Sequence, residues 1–192
     1  MEPQHRMPLR KLPRLKARGG LQVMYASIRA LILRELQTRF GQYRLGYLWV
    51  FLEPLLTIGI LVLLFGTIRE RAAPGVDFLV FLINGIIPFF MFRTGVTLGM
   101  SAVESNKGLF SYRAVKPIDA LIARNILEFL LKFTAYIAFS ASFIWFGIEI
   151  SFEAIPQLLS YWLLLFIFMF AVSLVFLVIV DFSKEVGRFL SP

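Results

Sequence analysis

Three charged residues, Arg124, Glu128 and Lys132, recur at every fourth position inside a long apolar stretch. Residues spaced i, i+4 and i+8 lie on one face of an α-helix, so the carboxylate and the two cations are expected to neutralise one another along that face. The competing interpretation is a ladder that binds substrate, because ionisable groups inside membrane spans often mark transport paths. We favour mutual neutralisation, which would make the three residues structural.

Two further ionisable residues lie in apolar stretches, and each has two interpretations. Glu53 precedes Pro54, so it can hydrogen-bond a backbone group that the proline kink frees, or it can line a transport path. Arg93 is expected to pair with Glu128 on a neighbouring helix or to contact a lipid headgroup. The side-chain amide of Asn84 is expected to bridge two helices.

Sequence patterns of catalytic and metal sites are absent. The chain has no cysteine and one histidine, His5, which lies in a Pro/Arg-rich tail. None of the motifs G-x-x-x-x-G-K-[ST], G-x-S-x-G and H-E-x-x-H occurs, so the chain lacks a phosphate-binding loop, a nucleophile elbow and a zinc-binding helix. We therefore expect a protein that is not an enzyme and that holds no metal or cofactor of its own.

The elements that position these residues are predicted to be membrane-spanning helices. Hydrophobic residues make up 58% of the 192 positions and charged residues 17%, and the mean hydropathy is +0.76. A run of about 20 apolar residues is long enough to cross the hydrocarbon core as a helix. The sequence therefore predicts an all-α, polytopic membrane protein with four spans. They cover approximately 47–68, 78–100, 120–146 and 158–180.

An amphipathic helix is predicted over 21–44, before the first span. Its apolar face consists of Leu21, Met24, Ile28, Leu31, Ile32 and Leu36. Glu35 and Arg39 are four residues apart and are expected to pair on the helix surface. We interpret the segment as an interfacial helix in the headgroup plane with its apolar face toward lipid. The alternative is a soluble helix that packs against protein.

Positive charge is distributed unevenly between the two sides of the predicted spans. Ten of the 20 Lys and Arg residues precede the first span, three lie in the connector 101–119 and two in 182–192, against two and none in the opposite loops. The positive-inside rule places both termini and the connector in the cytoplasm, with 1–20 as a flexible basic tail beside anionic lipid. Because no basic and aromatic platform for bases occurs, we expect no nucleic-acid partner.

Tryptophan and glycine positions predict two features of packing. Trp49, Trp145 and Trp162 lie near span ends, where an aromatic belt at the membrane interface would place them. Gly95 and Gly99 form a small-xxx-small pair, which permits close approach of a second helix.

Two blocks of the sequence resemble a known family. The first runs from Arg34-Glu35 through Thr38-Arg39-Phe40 and Leu45-Gly46-Tyr47-Leu48-Trp49 to Glu53-Pro54-Leu55. The second consists of Glu104-Ser105-Asn106-Lys107-Gly108, Val115-Lys116-Pro117-Ile118-Asp119 and Ala123-Arg124. Both resemble type-2 ABC exporter permeases, and within them the capsular polysaccharide export permeases of Gram-negative bacteria (the KpsM/BexB/CtrC group). The resemblance extends over nearly all of 24–190.

The resemblance implies a permease subunit, in the bacterial inner membrane, of an ATP-driven exporter of lipid-linked capsular polysaccharide. It implies a homodimer that encloses a channel, and a separate ATPase subunit that binds the ATP and docks on a cytoplasmic coupling helix between spans two and three. Export of O-antigen or teichoic-acid-type polymers is the alternative. Family members have six spans, so a chain with four is expected to be truncated before the last two, and a non-transporting membrane subunit is a further alternative.

The resemblance also assigns roles to particular residues. The charged residues of the coupling segment 104–113 are Glu104, Lys107 and Arg113. Those of the gating interfacial helix are Arg34, Glu35 and Arg39. Aromatic faces suit sugar rings, so a substrate path is expected at the start of the first span. Its candidate residues are Tyr47, Trp49, Phe51 and Glu53.

Overall fold

The computed structural model describes residues 19–41, 46–65, 77–111, 115–148 and 152–182. Five α-helices follow one another in these segments: α1 (Gly20–Phe40), α2 (Gly46–Phe65), α3 (Phe78–Met100), α4 (Pro117–Trp145) and α5 (Ile155–Phe182). Short 3₁₀ helices at Glu104–Leu109 and Phe152–Ala154 precede α4 and α5. The tails 1–18 and 183–192, Arg113 and the side chain of Tyr47 lie outside the described part of the chain.

Four of these helices are long and apolar enough to cross a membrane. The qualifying stretches are Leu48–Phe65, Phe78–Met100, Pro117–Trp145 and Ile155–Val180. No β-strand occurs in the described segments, so the all-α polytopic fold class is confirmed. α4 has 29 residues. Its length of about 43 Å exceeds the roughly 30 Å of a hydrocarbon core, so α4 extends beyond that core.

Capping interactions and a glycine explain where α3 and α4 begin and where α4 ends. At the start of α3, Asp77 Oδ1 accepts a hydrogen bond of 2.8 Å from a backbone N–H of the first turn. α4 begins at Pro117, where a missing N–H costs nothing, and Asp119 Oδ2 accepts a hydrogen bond of 3.0 Å from Lys116 N. After α4, Gly147 has a φ of +80°, a left-handed conformation that favours glycine and stops the helix.

α3 lies at the centre of the bundle and contacts α2, α4 and α5. Met91 on α3 is fully buried in the main core cluster. Gly95 and Gly99 face α5, where a Cβ on Gly99 would lie 2.8 Å from Ser173 Cβ and a Cβ on Gly95 would overlap with Met169. The close helix approach that this glycine pair predicts is therefore confirmed.

Trp162 lies in the core instead of at the membrane interface. Its side chain is 3% exposed, and its ring centroid lies 5.1 Å from that of Phe133 and 5.2 Å from that of Tyr136 in edge-to-face contacts. The expected interfacial position is wrong for Trp162, because its indole lies about 10 Å along α5, where α4 covers it. Trp49 and Trp145 are exposed.

α1 packs much of its apolar face against protein. Leu31, at its centre, is buried in a cluster with Ala102, Ala120 and Leu121, which belong to the connector and α4. Phe40, at its end, is buried in a second cluster with residues of α2 and α4. The interpretation of this face as lipid-facing is wrong over the buried part, because the connector and α4 present apolar surface there.

Candidate functional site

Three ion pairs join α4 to α1 and α2, and we call them the α4 ladder. Each pair consists of one charged residue of α4 and one oppositely charged residue of another helix. The pairs are Arg124 Nε with Glu35 Oε1 at 3.2 Å, Glu128 Oε2 with Arg39 Nη1 at 2.7 Å, and Lys132 Nζ with Glu53 Oε2 at 3.2 Å. The ladder holds α1 and α2 against α4.

The α4 ladder corrects several expectations from the sequence. The α4 charges do not neutralise one another, and Glu35 and Arg39 do not pair along α1. The charged face of α4 is covered by α1 and α2, whose opposite charges lie closer than the next charge along α4. Arg93 is not the partner of Glu128, because Arg39 binds that carboxylate. Glu53 forms an ion pair with Lys132 in place of the expected hydrogen bond to a backbone group freed by Pro54.

Burial makes the pair of Glu128 and Arg39 sensitive to substitution. The side chain of Glu128 is 0% exposed and that of Arg39 is 28% exposed. Glu128 Oε1 has no hydrogen-bond partner among the described residues. A buried charge left unpaired costs about 3–5 kcal/mol, so the carboxylate depends on its partner.

Arg124 links three helices. Its Nη1 donates hydrogen bonds to Leu98 O at 2.8 Å and to Ser101 Oγ at 3.0 Å. Leu98 belongs to the last turn of α3, where carbonyl groups lack intrahelical partners and favour a cation. Through Glu35, the same guanidinium also contacts α1. Arg124 therefore joins the end of α3 to α1.

The 3₁₀ helix of the connector has a buried face and a charged face. Asn106 is 5% exposed; its Oδ1 accepts a hydrogen bond from Arg34 Nη1 and its Nδ2 donates one to Ala102 O, both at 2.7 Å. Glu104 and Lys107 are exposed, with 3.2 Å between their charged atoms. One face of the connector is therefore bound to α1, and the other is exposed.

Trp49 and Phe51, near the start of α2, do not lie on one surface. Trp49 is 61% exposed, whereas Phe51 packs beside the cluster of Phe40 and Ala135. Residues two apart point to nearly opposite sides of a helix, which explains the separation. The side chain of Tyr47 lies outside the described residues. A path-lining role for these aromatic residues stays a prediction.

Polar side chains also join the helices within the bundle. Tyr136 OH donates a hydrogen bond of 2.7 Å to Asn84 Oδ1, which confirms the bridge expected of that asparagine. Ser173 Oγ lies 3.2 Å from Asn125 Oδ1 and 3.3 Å from Gly95 O, and joins α5 to α4 and α3. Sequence reasoning missed this contact, although Asn125 is an isolated amide in an apolar stretch and could have indicated it.

A cavity of about 400 Å³ lies between α3 and the first turns of α5. Its polar lining comes from Asn84, Gln157 and Tyr161, and Gln157 Nε2 donates a hydrogen bond of 2.7 Å to Tyr161 OH. Pro88 and Trp162 add apolar surface. No cluster of metal-ligating side chains occurs in the segments that the structure describes.

Comparison with known sequences identifies the class of the protein. Residues 26–187 match the sequence profile of the family described as ABC-2 type transporter. The chain belongs to this ABC-2 type transporter family, whose membrane permease components are not themselves enzymes.

Particular relatives are capsule export proteins. The chain is 44% identical over 174 residues to the polysialic acid transport protein KpsM of Escherichia coli, and this match covers 91% of this chain and 67% of the relative. It is 32% identical over 157 residues to the capsule polysaccharide export inner-membrane protein CtrC of Neisseria meningitidis serogroup B, which covers 81% of this chain and 59% of the relative. It is 28% identical over 156 residues to the capsule polysaccharide export inner-membrane protein BexB of Haemophilus influenzae, and this match covers 81% of this chain and 59% of the relative.

The chain thus spans about two thirds or less of the length of these relatives. The resemblance to the capsular polysaccharide export group is confirmed. The relatives and the four apolar helices together indicate a multi-pass protein of the inner membrane.

Proposed function

We propose that this chain is a permease subunit of an ATP-driven exporter that moves lipid-linked capsular polysaccharide across the bacterial inner membrane. The observation that carries the proposal is the 44% identity with a polysialic acid transport protein over 174 residues. The similarity to CtrC and BexB adds two capsule export proteins from other bacteria.

The energy for export would come from a separate ATPase subunit. The chain has no phosphate-binding loop, so ATP would be bound by that partner and not by this chain. The proposed docking surface is the exposed face of the 3₁₀ helix, with Glu104, Lys107 and, beyond the described residues, Arg113. The buried face of the same helix is occupied by α1, so the exposed face is the side open to a partner.

The contacts of α1 provide a route from the docking surface to the spans. A movement of the connector would displace Asn106, which accepts a hydrogen bond from Arg34 on α1. Glu35 and Arg39 on the next turns are ion-paired to α4. We therefore assign α1 a gating role, in which its movement is passed to α4 through the α4 ladder.

The length of α4 supports a position near the cytoplasm for Arg124, the α4 ladder residue closest to the start of that helix. If Trp145 marks the external interface, Arg124 lies about 32 Å away along the helix and Lys132 about 20 Å away. With a hydrocarbon core of about 30 Å, Arg124 would then lie at the cytoplasmic boundary and Lys132 inside the core. This orientation, with the N-terminus in the cytoplasm, agrees with the charge asymmetry of the loops.

A homodimer would complete the transport path in this proposal. α2 and α5 are the least buried of the candidate spans, with 17% and 11% of their apolar stretches inside the bundle. Their exposed faces provide surface for a second copy as well as for membrane lipid.

Deletion of the gene in its host tests the proposed function. We expect surface capsule to fall to background and polymer to accumulate inside the cell, because the lipid-linked chains can no longer cross the membrane. Complementation with the intact gene should restore export. Unchanged surface capsule would contradict the proposal.

A second candidate function is O-antigen export. The chain is 31% identical over 106 residues to the O-antigen export system permease protein RfbA of Myxococcus xanthus, which covers 54% of this chain and 40% of the relative. In the same deletion strain, loss of long O-chains with an intact capsule would favour this candidate. Loss of neither polymer would favour a non-transporting subunit.

A further inference from the structure

α3 has one face that the other described helices leave open. Phe81, Gly85, Phe89 and Arg93 recur at every fourth residue and are all exposed, and we call this set the α3 stripe. The opposite side of α3 is buried against α4 and α5. The stripe therefore combines two exposed aromatic rings, a glycine and one cation on a membrane-spanning helix.

Arg93 lies well inside the span. It precedes Met100, the last residue of α3, by seven positions, which corresponds to about 10 Å along the helix. The 23 residues of α3 measure about 34 Å against a hydrocarbon core of roughly 30 Å, so the Arg93 backbone lies about 8 Å inside that core. Charged groups at such depth almost always face a water-filled cavity or a partner group, and not lipid tails.

The described residues supply no counter-ion for Arg93. Its side chain forms no ion pair or hydrogen bond within the described segments. Glu53 and Glu128, the carboxylates away from the helix ends in the described spans, are bound by Lys132 and Arg39. A second copy of these described helices would therefore bring no unpaired carboxylate to this depth, which favours a ligand as the source of the anion.

We propose that Arg93 binds the carboxylate or phosphate groups of an acidic polysaccharide that passes along the α3 stripe. This inference rests on the proposed export function and specifies its substrate class. A guanidinium donates two parallel hydrogen bonds to one carboxylate or phosphate, which fixes the anion more firmly than a point charge would.

The rest of the α3 stripe suits a sugar chain. Phe81 and Phe89 are 49% and 58% exposed and offer flat apolar surface to the faces of sugar rings. Gly85 lies between them, and a Cβ at that position would meet no atom within 4 Å. No described residue therefore obstructs the stripe at Gly85, and its single cation favours acidic over neutral chains.

Binding to the purified chain tests this assignment. The chain is reconstituted in phosphatidylcholine nanodiscs at low salt and titrated with an oligomer of sialic acid, and separately with a neutral oligomer of glucose of equal length. Arg93→Gln is expected to weaken binding of the sialic acid oligomer about tenfold or more, the scale of a charge-assisted hydrogen bond, without affecting the glucose oligomer. The affinity of Arg93→Lys for the sialic acid oligomer should lie between those of the unsubstituted chain and Arg93→Gln.

A matched control is Arg29→Gln, which removes an exposed cation of α1 outside the α3 stripe and should leave both affinities unchanged. Circular dichroism checks that each variant keeps its helices. If Arg93→Gln binds the sialic acid oligomer as well as the unsubstituted chain does, the role of Arg93 is refuted while polysaccharide export stands. If the unsubstituted chain binds neither oligomer, the proposed substrate class fails and the inference fails with it.

A lipid headgroup is the other source of the same anionic chemistry. In nanodiscs that contain phosphatidylglycerol, native mass spectrometry counts the lipids that stay bound to each variant. Loss of bound phosphatidylglycerol from Arg93→Gln, with unchanged binding of the sialic acid oligomer, would assign Arg93 to the headgroup and overturn the proposal. Unchanged lipid binding together with weaker oligomer binding supports it.

Discussion

Arg39→Gln would leave the carboxylate of Glu128 buried without its ion-pair partner. The two charged atoms are 2.7 Å apart, and the side chain of Glu128 is 0% exposed. Removing one member of a buried pair costs about 3–5 kcal/mol, because the remaining charge has neither water nor a counter-ion. Arg39 is 28% exposed, so water reaches part of the site, and we expect the low end of that range, about 3 kcal/mol.

Substitution of the other member of the pair, Glu128→Gln, should lower the unfolding free energy by less than Arg39→Gln does. It leaves a cation that reaches solvent and an amide oxygen that can still accept a hydrogen bond from Arg39. We expect about 1–2 kcal/mol for this variant, the scale of a weakened hydrogen bond to a charged group. The double variant should be less destabilised than the sum of the two single variants, because no buried charge remains unpaired.

Unfolding in mixed micelles by increasing SDS, followed by helical circular dichroism, measures these differences in unfolding free energy. Arg29→Gln is the control, since it removes an exposed cation of the same helix and should change stability by less than about 0.5 kcal/mol. Equal costs for Arg39→Gln and Glu128→Gln, or strict additivity in the double variant, would refute the reasoning that the buried carboxylate creates the dependence.

Two further predictions concern the connector and the packing of α3. Lys107→Glu should reduce co-purification of the chain with the proposed ATPase subunit, whereas Glu153→Lys, a charge reversal in the opposite predicted loop, should not. Undiminished co-purification of the Lys107 variant would argue against the proposed docking surface. Gly99→Val should lower stability by about 1–3 kcal/mol, because its Cβ would lie 2.8 Å from Ser173 Cβ. Gly85→Ala, where a Cβ meets nothing within 4 Å, should be neutral or slightly stabilising. Thermal unfolding in micelles compares the two glycine variants, and equal stability would contradict close packing of α3 on α5.

The boundaries of α3 and α4 show what can be predicted about the spans from local sequence. The second apolar stretch was predicted over 78–100, and α3 covers Phe78–Met100, because Asp77 caps its start and polar residues follow its end. α4 starts earlier than its apolar stretch, at Pro117, since Pro117 and Asp119 provide an N-terminal cap that hydropathy does not detect.

The candidate site was predictable in its residues but not in its contacts. Glu35, Arg39 and Glu128 were all singled out from the sequence, yet their partners were assigned within the same helix or to the wrong one. Helical spacing identifies neighbours on one element, whereas the partner of a charge depends on which helix covers that face. Trp162 shows the same limit, because its position near a helix end did not reveal that α4 covers it.

The sequence by itself determined the membrane class, the four apolar spans, the uneven charge of the loops and the family, because each follows from composition or from residues close together in the chain. Only the tertiary structure decided how the embedded charges are used. Arg39 and Glu128 are 89 positions apart, and Glu53 and Lys132 are 79 positions apart. Their ion pairs exist because the strength of an electrostatic contact depends on distance in space. The same packing leaves Arg93 exposed on α3.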